Sequence, residues 1–403
     1  MSHRRKNRRL AEEIIFETPL KIEKLAPTGQ GIGILESGKK IFLWNALPNE
    51  EIKSAKITKK KNSFDEGITL EIAKKSKDRV EPKDEHFLST SPWQIMSDKT
   101  EVEEKIKILK ELFRNLWKND IEFHQSDNTW FYRNKMEYAL YYNFETEKIE
   151  PAIHLRGTHQ KLSIKTSSIE RPEIFEKAKE IIDELNNSGD EARKYQSILL
   201  RCNKTGEVSG GLFEKGKPHP KFKNLEDEIL GKTYSYSPNG FFQVNLNTYE
   251  KALNRIKSFV DETDSEKVLD LYSGVGTIGL SVAREKDLTL VEVDKSAYAE
   301  LEENCKGIKT AKPVLAKSED VLEYIAPDEV VILDPPRAGC DKKLIEKLIE
   351  KKPKKIIYLS CNPITQVRDL EILIENGAKL KTVEAFNFFP HTPHIESLIS
   401  LEF

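Results

Sequence analysis

The sequence predicts an α/β chain, with a doubly wound parallel sheet in its C-terminal third, a small β-barrel near its start and a mixed α+β region between. Three observations carry that reading. From Asp264 onward, short apolar runs alternate with amphipathic stretches. Between Glu17 and Ala73, five strand-like runs are punctuated by glycine. The chain also has 403 residues, more than one ordinary domain and enough for two or three cores.

The elements follow in order. Residues 1–16 form a basic tail carrying HRRKNRR, His3 to Arg9, and no apolar run follows it as a secretory signal would require. Residues 17–76 read as a barrel of the oligonucleotide-binding type, built from LKIEKL, GQGIGIL, KKIFLWNAL, EIKSAKITKK and GITLEIAKK. KITKKK, Lys56 to Lys61, is a second basic cluster, suited to a nucleic-acid backbone or to a solvated surface. Residues 77–257 form the α+β region. KTEVEEKIKILKELFRNLW repeats apolar residues three or four apart and predicts a helix, strands are expected at TWFYRNKMEYALYY and AIHLRG, and a second helix spans Arg171 to Asn186 before an exposed NNSGDE turn. Residues 258–403 contain VLDLY, LTLVEVD, KPVLA, VVILD and KIIYLS, apolar runs of the buried parallel type, with helices at DKKLIEKLIEKK and ITQVRDLEILIEN. KLKTVEAFNFFP and ESLISLEF are expected to close the sheet as an edge pair.

Composition narrows the class. The net charge is −2 although 33% of residues are charged, so both signs are dense and local clusters matter more than the total. The four cysteines, Cys202, Cys305, Cys340 and Cys361, are scattered without a CxxC pair, which argues against a disulfide scaffold or zinc ribbon and fits a reducing, cytoplasmic setting. No apolar stretch approaches the roughly 20 residues that span a bilayer, so no membrane partner is expected.

Four motifs carry chemistry. Gly274, Gly276 and Gly279 form a GxGxxG turn between a strand and a helix, where the backbone can approach a ligand; the pattern serves dinucleotides and S-adenosylmethionine alike and also occurs in plain turns. Glu292 closes the second strand, where a carboxylate can accept ribose hydroxyls or simply be solvated. Asp334 opens DPPR at the end of the fourth strand, on a loop stiffened by two prolines. Cys361 ends the fifth strand, and Asn362 and Pro363 after it should leave the thiol at the cleft, with Glu396 of HTPHIE as a downstream base. Cys340 competes from the same rim, although Gly339 and Asp341 around it fit a helix-initiating turn. Cys202 and Cys305 read as inert core thiols. His391, His394 and Glu396 have no fourth ligand to complete a zinc site, so no metal is expected, and the histidines are assigned to ordering the loop or touching RNA phosphates.

Taken in order, PNGFFQVN, DLYSGVGTIGL, LVEVD, LDPPRAGC, YLSCNPITQVRDL and FFPHTPHIESLISL resemble the motifs of the uracil-C5 RNA methyltransferase family. GQGIG, FLWNALPNEE and KITKKK resemble its N-terminal TRAM domain, an RNA-binding module. The resemblance covers nearly the whole chain. It implies a Rossmann-like methyltransferase sheet, S-adenosyl-L-methionine as cofactor, and a uridine of tRNA or ribosomal RNA as substrate, acted on by a monomer. It places cofactor contacts on Gln243, Tyr272, Gly274, Gly276, Glu292 and Asp334, the nucleophile on Cys361 and the base on Glu396, with Arg133 of YRNKMEY and Arg337 as substrate contacts. Many members carry an iron–sulfur site in PxCxHFxxCGGC. Here the stretch is PKDEHFLSTSPWQ, with Asp84, Thr90 and Trp93 at the cysteine positions and the fourth near Ser167, so no iron–sulfur cluster is expected. Ser273 also stands where members often carry cysteine. The competing readings are a nicotinamide-dependent oxidoreductase, which leaves DPPR, Cys361 and Glu396 unexplained, a non-catalytic RNA-binding protein on the same scaffold, and methylation of an exocyclic amine, which would not need Cys361.

Overall fold

The structure is a computed structural model describing residues 12–188, 194–218 and 220–403. The basic run His3–Arg9 and the second half of the NNSGDE turn lie outside the described residues. The chain divides into two compact units, one running to Ile108 and including His391–Pro393, the other comprising Leu109–Pro390 and His394–Phe403.

The first unit is built on a closed five-stranded barrel: β1 (Glu12–Leu25), β2 (Gly31–Ile34), β3 (Lys40–Trp44), β4 (Glu51–Lys60) and β5 (Phe64–Lys74), ordered β1-β2-β3-β5-β4 with β4 returning to β1. Alternating side chains fill its interior, among them Leu20, Ile22, Ile41, Leu43, Ile52 and Ile57. β1 serves two neighbours because its register shifts between Ile15 and Leu20, letting one strand turn the barrel corner. Two lysines of KITKKK are already committed inside this unit, Lys59 to Glu66 at 2.8 Å and Lys60 to Glu12 at 2.6 Å. A buried Arg79–Glu50 pair closes the barrel exit, with Nε donating at 2.5 Å and a second guanidinium nitrogen at 2.9 Å. α1 (Phe87–Thr90) and α2 (Asp98–Leu112) follow; α2 stops short of the predicted FRNLW extension, whose first four residues fold as a turn.

The second unit opens with β6 (Glu122–His124). β7 (Lys135–Asn143), β8 (Lys148–His154), β9 (Lys161–Ser163), α3 (Pro172–Asn187), β10 (Tyr195–Cys202) and β11 (Val208–Glu214) then form an antiparallel sheet, ordered β11-β10-β7-β8-β9. The apolar stripe of α3, Ile174, Phe175, Ala178, Ile182 and Leu185, packs with Tyr138, Ile198 and Leu200 in one core. β12 (Leu225–Ile229) and β13 (Lys232–Tyr236) make a hairpin ahead of α4 (Leu246–Asp261).

The large sheet collects β14 (Lys267–Leu271), α5 (Thr277–Val282), β15 (Asp287–Glu292), α6 (Lys295–Cys305), β16 (Ala311–Leu315), β17 (Glu329–Leu333), α7 (Lys342–Lys351), β18 (Lys355–Ser360), α8 (Pro363–Glu375), β19 (Lys379–Phe386) and β20 (Glu396–Glu402). Its order is β16-β15-β14-β17-β18-β20-β19-β6, with the first five strands parallel. Two expectations need correction. β16 is not a buried strand: it is the outer edge, only partly covered, which is where its Pro313 is tolerated. β19 and β20 do not close the sheet either. β20 inserts between β18 and β19, and β6, from well upstream, pairs parallel with β19 and takes the edge.

Asn245 ties α4 to this sheet. Its Oδ1 accepts from the Thr248 N–H and hydroxyl, while its Nδ2 donates to Ser126 Oγ at 3.0 Å and to the Phe388 carbonyl at 3.2 Å. Replacing Asn245 with Ala removes a helix cap and two buried donor contacts together. It should cost about 1–2 kcal/mol, read as a lower midpoint in urea unfolding.

Candidate active site at the C-terminal rim of the sheet

The rim is assembled by strand register. Asp270 of β14 pairs with Ile332 of β17, and Ile332 pairs with Ile357 of β18. Advancing two residues along each of the last two strands keeps the same face and reaches Asp334 and Leu359; two more along β18 reach Cys361. In the antiparallel neighbour, Ser360 stands opposite Ser397, so one further step sets Cys361 opposite Glu396. Asp270, Asp334, Cys361 and Glu396 therefore share one face. Tyr249 of α4 lies against them, its hydroxyl held far above the usual range by burial and then by the Asp334, Asp270 and Glu396 carboxylates.

The electrostatics of this group are dominated by withdrawal from water. Burial pushes the Cys361 thiol up to about 11; the Glu396 and Asp334 carboxylates push the same way, and the Arg337 guanidinium pulls back by charge and hydrogen bond. Glu396 is 3% exposed, and burial, followed by the Asp334 charge, raises its carboxyl well above the ordinary range while Arg337 opposes the shift. Burial alone pushes Asp334 up to about 7. Asp270 rises to about 8 from burial, partly offset by the Gly279 N–H, which donates to its Oδ2 at 2.8 Å.

Arg337 is thus a cation that acts on both thiol and base. Its backbone carbonyl is gripped by Asn362 Nδ2 at 2.8 Å and Thr365 Oγ1 at 3.2 Å, and a guanidinium nitrogen reaches His394 Nδ1 at 3.5 Å. Cys340, the competing thiol, is buried and its N–H donates to Asp369 Oδ2. Asp341 caps α7 by accepting from Lys343 N–H, as the helix-initiating reading requires. Cys361 is the half-exposed cysteine, while Cys202, Cys305 and Cys340 are buried. Of the two roles expected of His391, touching an RNA phosphate is corrected, because the residue is 1% exposed, while its backbone N–H donates to Glu101 Oε2 at 2.8 Å within the first unit.

A cavity of about 820 Å³ runs along the same rim, lined by Tyr272, Glu292, Val293, Glu319, Pro336 and residues of the α7 and α8 side. Glu292 is locked into its wall. Its Oε2 accepts from Gly274 N–H at 2.8 Å, and its Oε1 from Val293 and Asp294 N–H at 2.8 and 2.6 Å. The three glycines divide their duties. A Cβ at Gly274 would meet nothing within 4 Å, leaving open space over a left-handed backbone, whereas one at Gly276 would strike Leu301 and one at Gly279 would strike Asp270. Gln243 and Arg133 are not part of that lining: the Gln243 carbonyl accepts from Asn134 Nδ2 at 3.0 Å, and Arg133 Nε donates to the Lys135 carbonyl at 2.8 Å. Asp270 was not singled out from the sequence. Its signal was available, a lone acid inside the apolar run VLDLY.

The positions aligned with iron–sulfur cysteines carry other contacts. Asp84 Oδ2 accepts from Gln94 Nε2 at 2.8 Å, Trp93 Nε1 donates to the Gly29 carbonyl at 3.0 Å, and Ser167 Oγ donates to Glu170. No three-residue metal-type cluster among the described residues involves the rim; the one that exists, Glu122, His124 and Glu384, has Glu384 already paired with Arg255 Nε at 2.6 Å.

Comparison with known proteins adds to this geometry. Residues 302–403, which contain Asp334, Arg337, Cys361 and Glu396, match the family model for tRNA (uracil-5-)-methyltransferase. An RNA methyltransferase of Halalkalibacterium halodurans is 28% identical over 94% of this chain and 95% of its own length. One from Lactobacillus johnsonii is 29% identical over 95% and 97%. The C-terminal quarter of the chain is thus similar to uracil-5 methyltransferases, and the chain along nearly its whole length to RNA methyltransferases. Its fold is similar to that of a solved structure, the tRNA (uracil-54, C5)-methyltransferase of Pyrococcus abyssi in complex with S-adenosyl-L-homocysteine, with a TM-score of 0.75, 23% identity, and 97% and 100% of the two chains covered.

Two outcomes follow from the charges at the rim. Alkylation of Cys361 by iodoacetamide in ligand-free protein, followed by mass spectrometry, should accelerate about tenfold per pH unit toward about pH 11, and Glu396→Gln should move the profile to lower pH. Asp270 ionises at higher pH when folded, so its contribution to stability falls as pH rises from about 3.8 toward about 8. Asp270→Asn should flatten the loss of melting temperature across that window.

Proposed function

We propose that this protein methylates carbon 5 of a uridine in RNA through a covalent adduct on Cys361, with S-adenosyl-L-methionine as methyl donor. The observation that carries the proposal is the placement of one accessible thiol opposite one buried carboxylate, with Arg337 beside both.

The chemistry of uracil demands such a pair. Carbon 5 is a weak nucleophile until a group adds at carbon 6, so Cys361, as its thiolate, forms a bond to carbon 6 and leaves an enolate spanning carbon 5 and the carbonyl. Arg337 favours that thiolate and the charge that develops beside it. Once carbon 5 is methylated, Glu396 takes its remaining proton, the carbon 5–carbon 6 double bond reforms and Cys361 leaves. The target base must be out of its stack for the thiol to reach its face.

The residues fit the donor. When bound, it supplies an electrophilic methyl group on a cationic sulfur. Tyr272, Gly274, Gly276, Glu292, Asp334 and Gln243 are the residues assigned to hold it. Glu292 uses three acceptor sites on backbone N–H groups and retains one for a ribose hydroxyl. Gly274 leaves room above its backbone, and Asp334 offers a carboxylate to a cation. Arg133 and Arg337 face the RNA, and the barrel of the first unit serves as a TRAM-like RNA-binding module. tRNA is favoured over ribosomal RNA because the matching family model and the Pyrococcus abyssi protein both carry tRNA in their descriptions. A nicotinamide oxidoreductase would leave the Cys361–Glu396 pair without a task.

Purified protein and S-adenosylmethionine, offered tRNA and ribosomal RNA from a host lacking the modification, should yield 5-methyluridine at one mapped position, and at least a thousandfold less with Cys361→Ala. No 5-methyluridine on either RNA would overturn the proposal.

A further inference from the structure

Within the second unit a cavity of about 460 Å³ opens where the Asn134 segment meets the start of α4, inside the roughly 300–1,000 Å³ range of small-molecule pockets. Asn134 forms part of its lining and is 3% exposed. Its backbone is pinned on both sides, the N–H donating to the Val244 carbonyl at 3.0 Å and the carbonyl accepting from Cys202 N–H at 2.9 Å. Its Nδ2 donates to the Gln243 carbonyl at 3.0 Å, whereas its Oδ1 has no partner among the described residues. Flipping the amide would set two carbonyl oxygens face to face, so the hydrogen-bond network fixes Oδ1 as the free atom. A buried, immobile acceptor without a donor is costly and calls for a ligand that supplies one.

A second, independent feature of the cavity lining is Phe131. The residue is 48% exposed and its backbone sits at φ 54°, in the left-handed region that aromatic residues rarely occupy. Such strain concentrates at binding sites. The cations of the lining are already neutralised: Arg171 donates to Glu173 at 2.5 Å, and Lys204 is paired with Glu250. That disfavours a phosphate and favours a neutral, flat ligand with an N–H to give.

We propose that this cavity takes a second base of the RNA substrate, distinct from the target uridine and bearing an exocyclic amine, which donates to Asn134 Oδ1 while its ring stacks on Phe131. The inference rests on the RNA reading above. It makes the 243–247 segment common to both sites, since Gln243 is assigned to the methyl donor and Asn245 and Asn247 line this cavity.

The test uses the full chain and the RNA in which 5-methyluridine has been mapped. Each nucleotide within three positions of the target is replaced in turn by an abasic residue. One position should raise KM roughly tenfold with kcat unchanged. Phe131→Ala should do the same on intact RNA, Phe131→Tyr should not, and the combined change should be no worse than either alone. Replacing the base at that position with an analogue lacking the amine should also raise KM. Methylation by wild type with no sensitive position, with multiplying effects, or with no response to loss of the amine would overturn the pocket assignment alone. Absence of 5-methyluridine with wild type would overturn the parent reading and this one together.

Discussion

The pairing of Ser360 with Ser397 governs the chemistry of the rim. β18 and β20 run antiparallel, and because side chains alternate with a period of two, a slip of one residue would turn either Cys361 or Glu396 to the opposite face. The register is locked from within. Gln366 of α8 is fully buried, its Nε2 donates to the Tyr358 carbonyl at 2.9 Å, and its Oε1 accepts from Ser397 Oγ at 2.5 Å. A side chain on the following helix thus reads both strands at once. The inserted position of β20 matters for the same reason: as an edge strand it would have had one partner, whereas β18 and β19 hold it on both sides.

That register gathers more acid than one guanidinium can balance. Asp270, Asp334, Glu396 and the Cys361 thiol share a poorly solvated face with Tyr249, and each is displaced toward its protonated form. A site built in this way is unfavourable for anions while it is empty of positive charge. A cationic ligand beside Asp334 would reverse the balance, and the same ligand would lower the cost of making a thiolate at Cys361.

Much of this was legible in the chain. The barrel could be read from glycine punctuation and alternation, the amphipathic helices from their apolar spacing, and the rim positions of Asp334 and Cys361 from the apolar runs that precede them. Other features depend on partners far away in sequence. β6 is three residues long and has no pattern of its own; it exists because β19 presents a free edge. The effect of Arg337 on Cys361 and Glu396 was not legible, because DPPR says nothing about which side chains its arginine will meet. The sequence leaves His391 between ordering its loop and touching RNA, and its partners Glu101 and Trp93 lie some 290 residues earlier, beyond the reach of local pattern. Asp270 was hidden inside a strand whose apolar neighbours drew attention away from it.

The central claim is that Cys361 bonds to carbon 6 of the target base and that Glu396 acts only afterward. RNA carrying 5-fluorouridine tests this directly, because fluorine at carbon 5 cannot leave as a proton. With S-adenosylmethionine present, wild type should form a denaturant-stable protein–RNA adduct that mass spectrometry maps to Cys361, and Glu396→Gln should form it as well. An equal yield of adduct from Cys361→Ala, or an adduct mapped to Cys340, would contradict the account.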